Sequence, residues 1–215
     1  MSAAAAFTKP LPLPQAAWRR RLEVFSPKLE RRMSLGSYDA WRCWIALEAN
    51  PAITGFCERP ARVAGHNSAM IDFWVQLKGE RWGEFWWICR GDADATQAGG
   101  TQAGSEPLPP KRLHDRPVRQ ISSEVIASWQ VPLANWAQIL PYLVSFRGHR
   151  QPLLEQSLVV QLGHFTRLGH LLDQFADHDP SEVQAALYFL LANGRVLSPD
   201  IAAAPLSGAT RFRRV

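Results

Sequence analysis

The stretch that decides the fold is Ile71-Asp72-Phe73-Trp74-Val75-Gln76-Leu77, then Lys78-Gly79-Glu80-Arg81-Trp82-Gly83, then Glu84-Phe85-Trp86-Trp87-Ile88-Cys89-Arg90. Aromatic and branched residues dominate both outer segments, which favours strands over 71–77 and 84–89. The six residues between them are polar with two glycines, as a hairpin connection requires. An acid, Asp72, stands at the start of the first strand.

Upstream, Ser37 opens a run in which Trp41, Trp44, Ile45 and Leu47 recur at helical spacing. This predicts an amphipathic helix with Ser37 near its N-terminus, ending before Asn50-Pro51. Short β-like pieces follow at 53–57 and 62–65. The order is therefore a helix and then several strands, an α/β domain. Most of the tryptophans fall on core faces by spacing, so they are read as packing rather than base-stacking residues.

Downstream, residues 92–110 hold a near-duplicated polar tract, Thr96-Gln97-Ala98-Gly99-Gly100-Thr101-Gln102-Ala103-Gly104-Ser105, and then three prolines. Such a tract cannot bury enough apolar surface to offset chain ordering. It predicts a flexible linker or loop over 92–119. The last part of the chain reads mainly as helix, at 153–163, from Thr166 to residue 175, and after Asp179-Pro180-Ser181-Glu182. There Asp179 is the cap, Pro180 suits the first helical position and Glu182 completes a capping box. Asn193-Gly194 ends that helix. Strands are expected at 195–201 and 210–215. Three helices followed by a β-hairpin is a winged-helix pattern.

Composition narrows the class. The chain has 215 residues, 47% hydrophobic and 20% charged, enough for a packed core and against wholesale disorder. No apolar run is long enough for a membrane helix, and residues 1–7 lack the features of a secretory signal. Cys43, Cys57 and Cys89 are isolated, which argues for a reducing, cytoplasmic setting and against a disulfide framework. His149, His164, His170 and His178 lack metal-ligand spacing. The net charge of +5 lies entirely within residues 1–36, where seven basic residues face two acids. A basic, proline-containing arm over 1–30, with Arg19, Arg20 and Arg21 and then Arg31 and Arg32, suits contact with phosphates or stands free in solvent. The tail residues Arg211, Arg213 and Arg214 suit a wing that touches phosphate.

A helix, an Asp opening a strand, and a motif on the next strand form the layout with which the PD-(D/E)xK nuclease core builds its metal site. Together with Asn50-Pro51-Ala52-Ile53 and Arg59-Pro60, this order resembles the TnsA-like transposon endonuclease family. Leu190-Leu191-Ala192-Asn193-Gly194, Asp200 and Pro205-Leu206-Ser207-Gly208-Ala209-Thr210 resemble the C-terminal segments of its short members. The resemblance covers residues 30–90 and 155–215. It implies a restriction-endonuclease-like domain over 31–91 and a helical, winged-helix domain over 120–215. It also implies Mg²⁺ or Mn²⁺ held at the acidic site, with transposon-end DNA, a DDE-type transposase subunit and an AAA+ regulator as partners.

The site residues depart from the family pattern. Asp72 is intact. The helix glutamate falls on Ala40, the second acidic or Gln position on Ile88, and the lysine on Arg90, which keeps the charge in a rigid fork. Asp39 is a weak substitute because one residue turns about 100° around a helix. Glu84 is another, displaced along its strand by about 13 Å from Ile88. One carboxylate rarely holds a catalytic magnesium unaided. The reading preferred on these residues is a TnsA-like subunit with impaired or lost catalysis and a DNA- and partner-docking role. The alternatives are an active metal-dependent endonuclease cutting 5′ transposon ends, and a winged-helix DNA-binding regulator.

Overall fold

A computed structural model describes residues 7–63, 69–89 and 110–215. The fold is mixed α/β, with a five-stranded mixed sheet and seven α-helices among the described residues. None of these helices is long and apolar enough to cross a membrane. The chain divides into two compact units, one of residues 1–24, 32–44 and 53–128, the other of residues 25–31, 45–52 and 129–215.

The first unit is built on the sheet. The hairpin β1 (Leu22–Ser26) and β2 (Arg31–Leu35) leads to helix α1 (Tyr38–Ala49). Ser37 caps α1, its Oγ accepting from the Ala40 N–H at 3.1 Å. Strands β3 (Ile53–Glu58), β4 (Phe73–Leu77) and β5 (Glu84–Ile88) form an antiparallel meander, with Cys57 opposite Trp74 and Trp74 opposite Phe85. Gly83 lets β5 begin tight against β4, because a Cβ there would collide with the Val75 carbonyl and the Trp74 ring.

Strands β6 (Arg112–Leu113) and β7 (Arg116–Ile121) extend the sheet, with β7 parallel to β5. Their two-residue turn is His114-Asp115, both at positive φ (47° and 60°), as a type I′ hairpin turn demands. This corrects part of the expected linker. Residues 92–109 of it lie outside the described residues, but 112–113 and 116–119 are strand. The missed signal is a short alternating segment, Arg116 to Ile121, whose apolar residues pack only once β5 is present.

One core cluster of this unit is Cys57, Val63, Ile71, Trp74, Phe85 and Trp87. The Phe7 ring packs on it, 5.0 Å from both Trp74 and Phe85. The Leu11 N–H donates to the Arg59 carbonyl, the Arg59 side-chain Nε donates back to the Leu11 carbonyl, and Trp18 Nε1 donates to the Leu13 carbonyl. The segment expected as an arm up to residue 30 is thus docked from Phe7 on, and its later part is β1. A proline-rich stretch loses little entropy on ordering, so a few apolar anchors hold it.

In the second unit the turn after β1 is tied to the C-terminal end of α1. Ser26 Oγ donates to Glu48, the Lys28 N–H donates to the same carboxylate, and Lys28 Nζ donates to the Leu47 and Asn50 carbonyls at 2.7 Å. Helix α2 (Ser123–Ser128) ends the first unit, and the rest of the second is α3 (Gln130–Ser145), α4 (Pro152–Gln161), β8 (Thr166–Arg167), α5 (Leu168–Gln174), α6 (Pro180–Ala192), β9 (Val196–Leu197), α7 (Asp200–Ala203) and β10 (Arg211–Arg214). The three short strands lie in the order β8-β10-β9.

Helix α6 forms as its sequence dictates. Asp179 caps it by accepting from the Ser181 N–H at 2.7 Å, and Gly194, at φ 69°, closes it. Helices α3 and α4 pack on α6, which buries Val183, Ala185, Ala186, Leu187, Tyr188, Leu190 and Leu191. Two expectations need correction. Thr166 is a buried strand residue, and the helix it was expected to cap starts at Leu168. The strand expected at 195–201 stops at Leu197, because Pro199 leads into α7.

Candidate functional site

Asp72 is half-buried just before β4. Its N–H donates to the Trp86 carbonyl at 3.1 Å, and its carbonyl accepts from the Arg59 N–H at 2.8 Å. Its Oδ2 accepts from the Ile88 N–H at 2.8 Å. The central acid and the end of β5 are therefore brought into direct contact. Ile88 is fully buried and Ala40 nearly so, at 7% exposure. Both positions put hydrocarbon where the family pattern has oxygen. Arg90 lies outside the described residues.

Asp39 shares a helix face with Cys43, one turn on, and it approaches Arg42 at 3.5 Å. The Cys43 thiol, wholly buried, has its pKa pushed up by burial first, then by Asp72 and by Asp39. Both carboxylates thus bear on one thiol. Glu84 is engaged at the far end of β5, where it accepts from Trp86 Nε1 at 2.7 Å and meets Arg119 at 3.8 Å.

Glu58 is an acid that sequence reasoning passed over. It ends β3, opposite Phe73, and is only 2% exposed. Arg59 follows at φ 48°, an uncommon backbone conformation for a side-chain-bearing residue. Its guanidinium donates to the Leu11 and Ser34 carbonyls and lies 3.9 Å from Glu58. The only sequence signal was a charged pair at the end of an apolar strand. Among the described residues, no group of three or more His, Cys, Asp or Glu is placed to hold a metal. Asp72 has one oxygen engaged by a backbone amide, and Ala40 and Ile88 offer no side-chain oxygen, so the side chains at these positions do not supply the carboxylates of a hard-cation set.

The basic residues fall into two groups. Arg19 and Arg20 are exposed at the end of a 3-10 turn over Gln15–Arg20, and Arg21 pairs with Glu23. Arg31 and Arg32 lie on β2. Glu23 has its carboxyl held below the usual range by the Ser34 hydroxyl first, then by Arg21, with Arg32 adding to it. Part of this positive charge is therefore satisfied within the hairpin.

In the second group, Arg211 forms a bidentate pair with Asp200 at 2.9 and 2.7 Å, and its own N–H donates to the same carboxylate. These bonds pull Asp200 down to about 2. Arg213 lies 4.9 Å from the centre of the exposed Phe165 ring. Arg167, opposite Arg211 in the sheet, shares its face. Arg214 alternates to the other face. Arg167 and Phe165 were missed. The alternation Arg211-Phe212-Arg213 marks the surface only once β8 is known to pair with β10.

Comparison with protein-family models gives no match for the chain, and comparison with curated proteins gives none.

Proposed function

We propose that this chain is a TnsA-like subunit of a heteromeric transposase that contacts transposon-end DNA and docks partner proteins, and that its nuclease site is catalytically lost. The observation that carries the reading is the Asp72 Oδ2 to Ile88 N–H bond. It joins the two motif positions on adjacent strands, after a Ser-capped helix, as the nuclease layout requires. The position beside that acid is a buried isoleucine, which supports the reading of a lost site. A restriction-endonuclease-like core is proposed for the first unit on this ground.

A winged helix is proposed for the second unit from the run α4, β8, α5, α6, β9, β10. Its last long helix, α6, is buried on most of its surface, and α3 and α4 pack on it. That favours protein docking over groove reading by α6, since a reading helix presents polar side chains outward. DNA contact then falls to the sheet face with Arg167 and Arg213. The burial of α6 likewise weighs against an independent winged-helix regulator.

The test is nicking of supercoiled plasmid carrying element ends, with Mg²⁺ or Mn²⁺, beside anisotropy measurements of duplex binding. The full chain is expected to bind duplex and leave it intact. Arg167→Glu with Arg213→Glu is expected to weaken binding several-fold. Metal-dependent nicking that Asp72→Ala abolishes would instead establish an active endonuclease.

A further inference from the structure

A groove of about 350 Å³ opens on the first unit between the β4–β5 connection and the β6–β7 turn. Arg81, Trp82, Arg112 and Arg116 line it, with Glu80 and Asp115. Trp82 is 40% exposed, unusual for an indole with no core task. The Arg116 guanidinium sits 3.7 Å from its ring centre, and that of Arg81 4.8 Å away. Arg112 donates to the Asp115 carbonyl at 2.5 Å. Three guanidiniums thus converge here, two of them over an aromatic ring and one on a backbone oxygen.

We infer that this groove binds a single strand of nucleic acid. A guanidinium stacked on an indole keeps its in-plane N–H donors free for a phosphate oxygen. The exposed indole offers a surface for a base, as single-strand binders use aromatic side chains. The carboxylates decide between ligands. Glu80 and Asp115 would repel a plain polyanion or an acidic peptide, but they accept hydrogen bonds from the N–H groups of bases. Phosphate donors, a ring and base-edge acceptors within one groove match a nucleotide strand. The volume suits one or two nucleotides. The inference does not rest on the transposition reading, and it uses none of the residues named for duplex contact.

The test is anisotropy of a fluorescein-labelled oligothymidylate of about 12 nucleotides with the full chain. Arg81→Glu with Arg116→Glu is expected to weaken binding by about tenfold or more and to flatten its salt dependence. Trp82→Ala is expected to weaken it by roughly fivefold with the salt slope retained, and Trp82→Tyr to restore most of the loss. All these side chains are at the surface, and unchanged circular dichroism and thermal midpoints confirm that the variants fold. Equal affinity in wild type and groove variants would overturn the inference. So would equal competition by inorganic polyphosphate of matched charge, since the base would then go unread. Arg167→Glu with Arg213→Glu is expected to leave this binding intact, so failure of the groove and failure of the duplex surface are separable.

Discussion

Lys28 joins local chain geometry to a pH dependence. Its ammonium closes the C-terminal end of α1 by donating to the Leu47 and Asn50 carbonyls, where the helix dipole favours a cation. Burial nevertheless pulls its pKa from the ordinary 10.5 down to about 8, against the opposing pull of Glu48. The folded chain therefore holds this proton less tightly than the unfolded chain. Between about pH 8 and 10.5 the contribution of Lys28 to stability rises with pH, and below about 8 it is flat because both states are protonated. Urea midpoints across that window are expected to climb in the wild type relative to Lys28→Met; parallel curves would refute the assignment. Asp72 is the second residue whose task is testable alone. Its Oδ2 satisfies a backbone amide that the strand ladder leaves to it. Asp72→Asn keeps an acceptor there, whereas Asp72→Ala orphans the Ile88 N–H. A loss of about 1–3 kcal/mol is expected for Ala and well under half of that for Asn. Equal losses in denaturant titrations would mean that charge, not the hydrogen bond, matters at this position.

Helix α3 shows how one side chain organises a neighbouring loop. Asn135 is 1% exposed, and its amide donates to the Ile201 and Ala204 carbonyls at 2.8 and 2.7 Å while its oxygen accepts from the Leu206 N–H at 2.7 Å. Three backbone groups of α7 and its connection to β10 thus depend on it. Asn135→Leu, close in size, would leave them without partners, at a cost of about 2–4 kcal/mol. Faster hydrogen exchange at Leu206 is the specific readout; a loss of stability without it would point to packing instead. The same contrast explains what was legible in advance. Helices α1 and α6 and the β4–β5 hairpin carry their instructions locally, in Ser37, in Asp179-Pro180 and Gly194, and in aromatic strands around a glycine-bearing turn. Strand β8 has two residues and no local signal, because a partner distant in sequence creates it. The hairpin β1–β2 was hidden by its basic composition, with Arg31 and Arg32 masking the alternation that buries Met33 and Leu35. Asp72 was legible as a candidate because it stands just before a strand, while Glu58 reads as one acid at a strand end until burial distinguishes it. The groove around Trp82 joins two hairpin turns far apart in sequence, so no motif could announce it.

The two compact units are not consecutive stretches of chain. The second takes residues 25–31 and 45–52 as well as 129–215. Boundaries drawn on composition, with a change at the polar tract, had no means of finding this, since composition reports where the chain is polar and not where it returns. The inserted pieces make specific contacts within their unit. The Arg147 guanidinium lies 4.6 Å from the centre of the Phe25 ring. Pro51 packs so closely on Gly194, the residue that closes α6, that a Cβ added there would stand 3.0 Å from the proline Cβ. A fragment of residues 129–215 alone therefore loses one wall of its core and the packing at the end of α6. It is expected to melt several degrees below the full chain and to show faster hydrogen exchange at Asn193, Gly194 and Arg195 than at the N-terminal turn of α6, where Asp179 caps from within the fragment. A synthetic peptide of residues 25–52 added in excess should raise the midpoint, because a segment that binds the folded fragment and not the unfolded one stabilises it by mass action. An identical melting point and exchange pattern with and without residues 25–52 would show that the C-terminal segment is a self-sufficient domain, and duplex binding could then be assigned to it from the fragment alone.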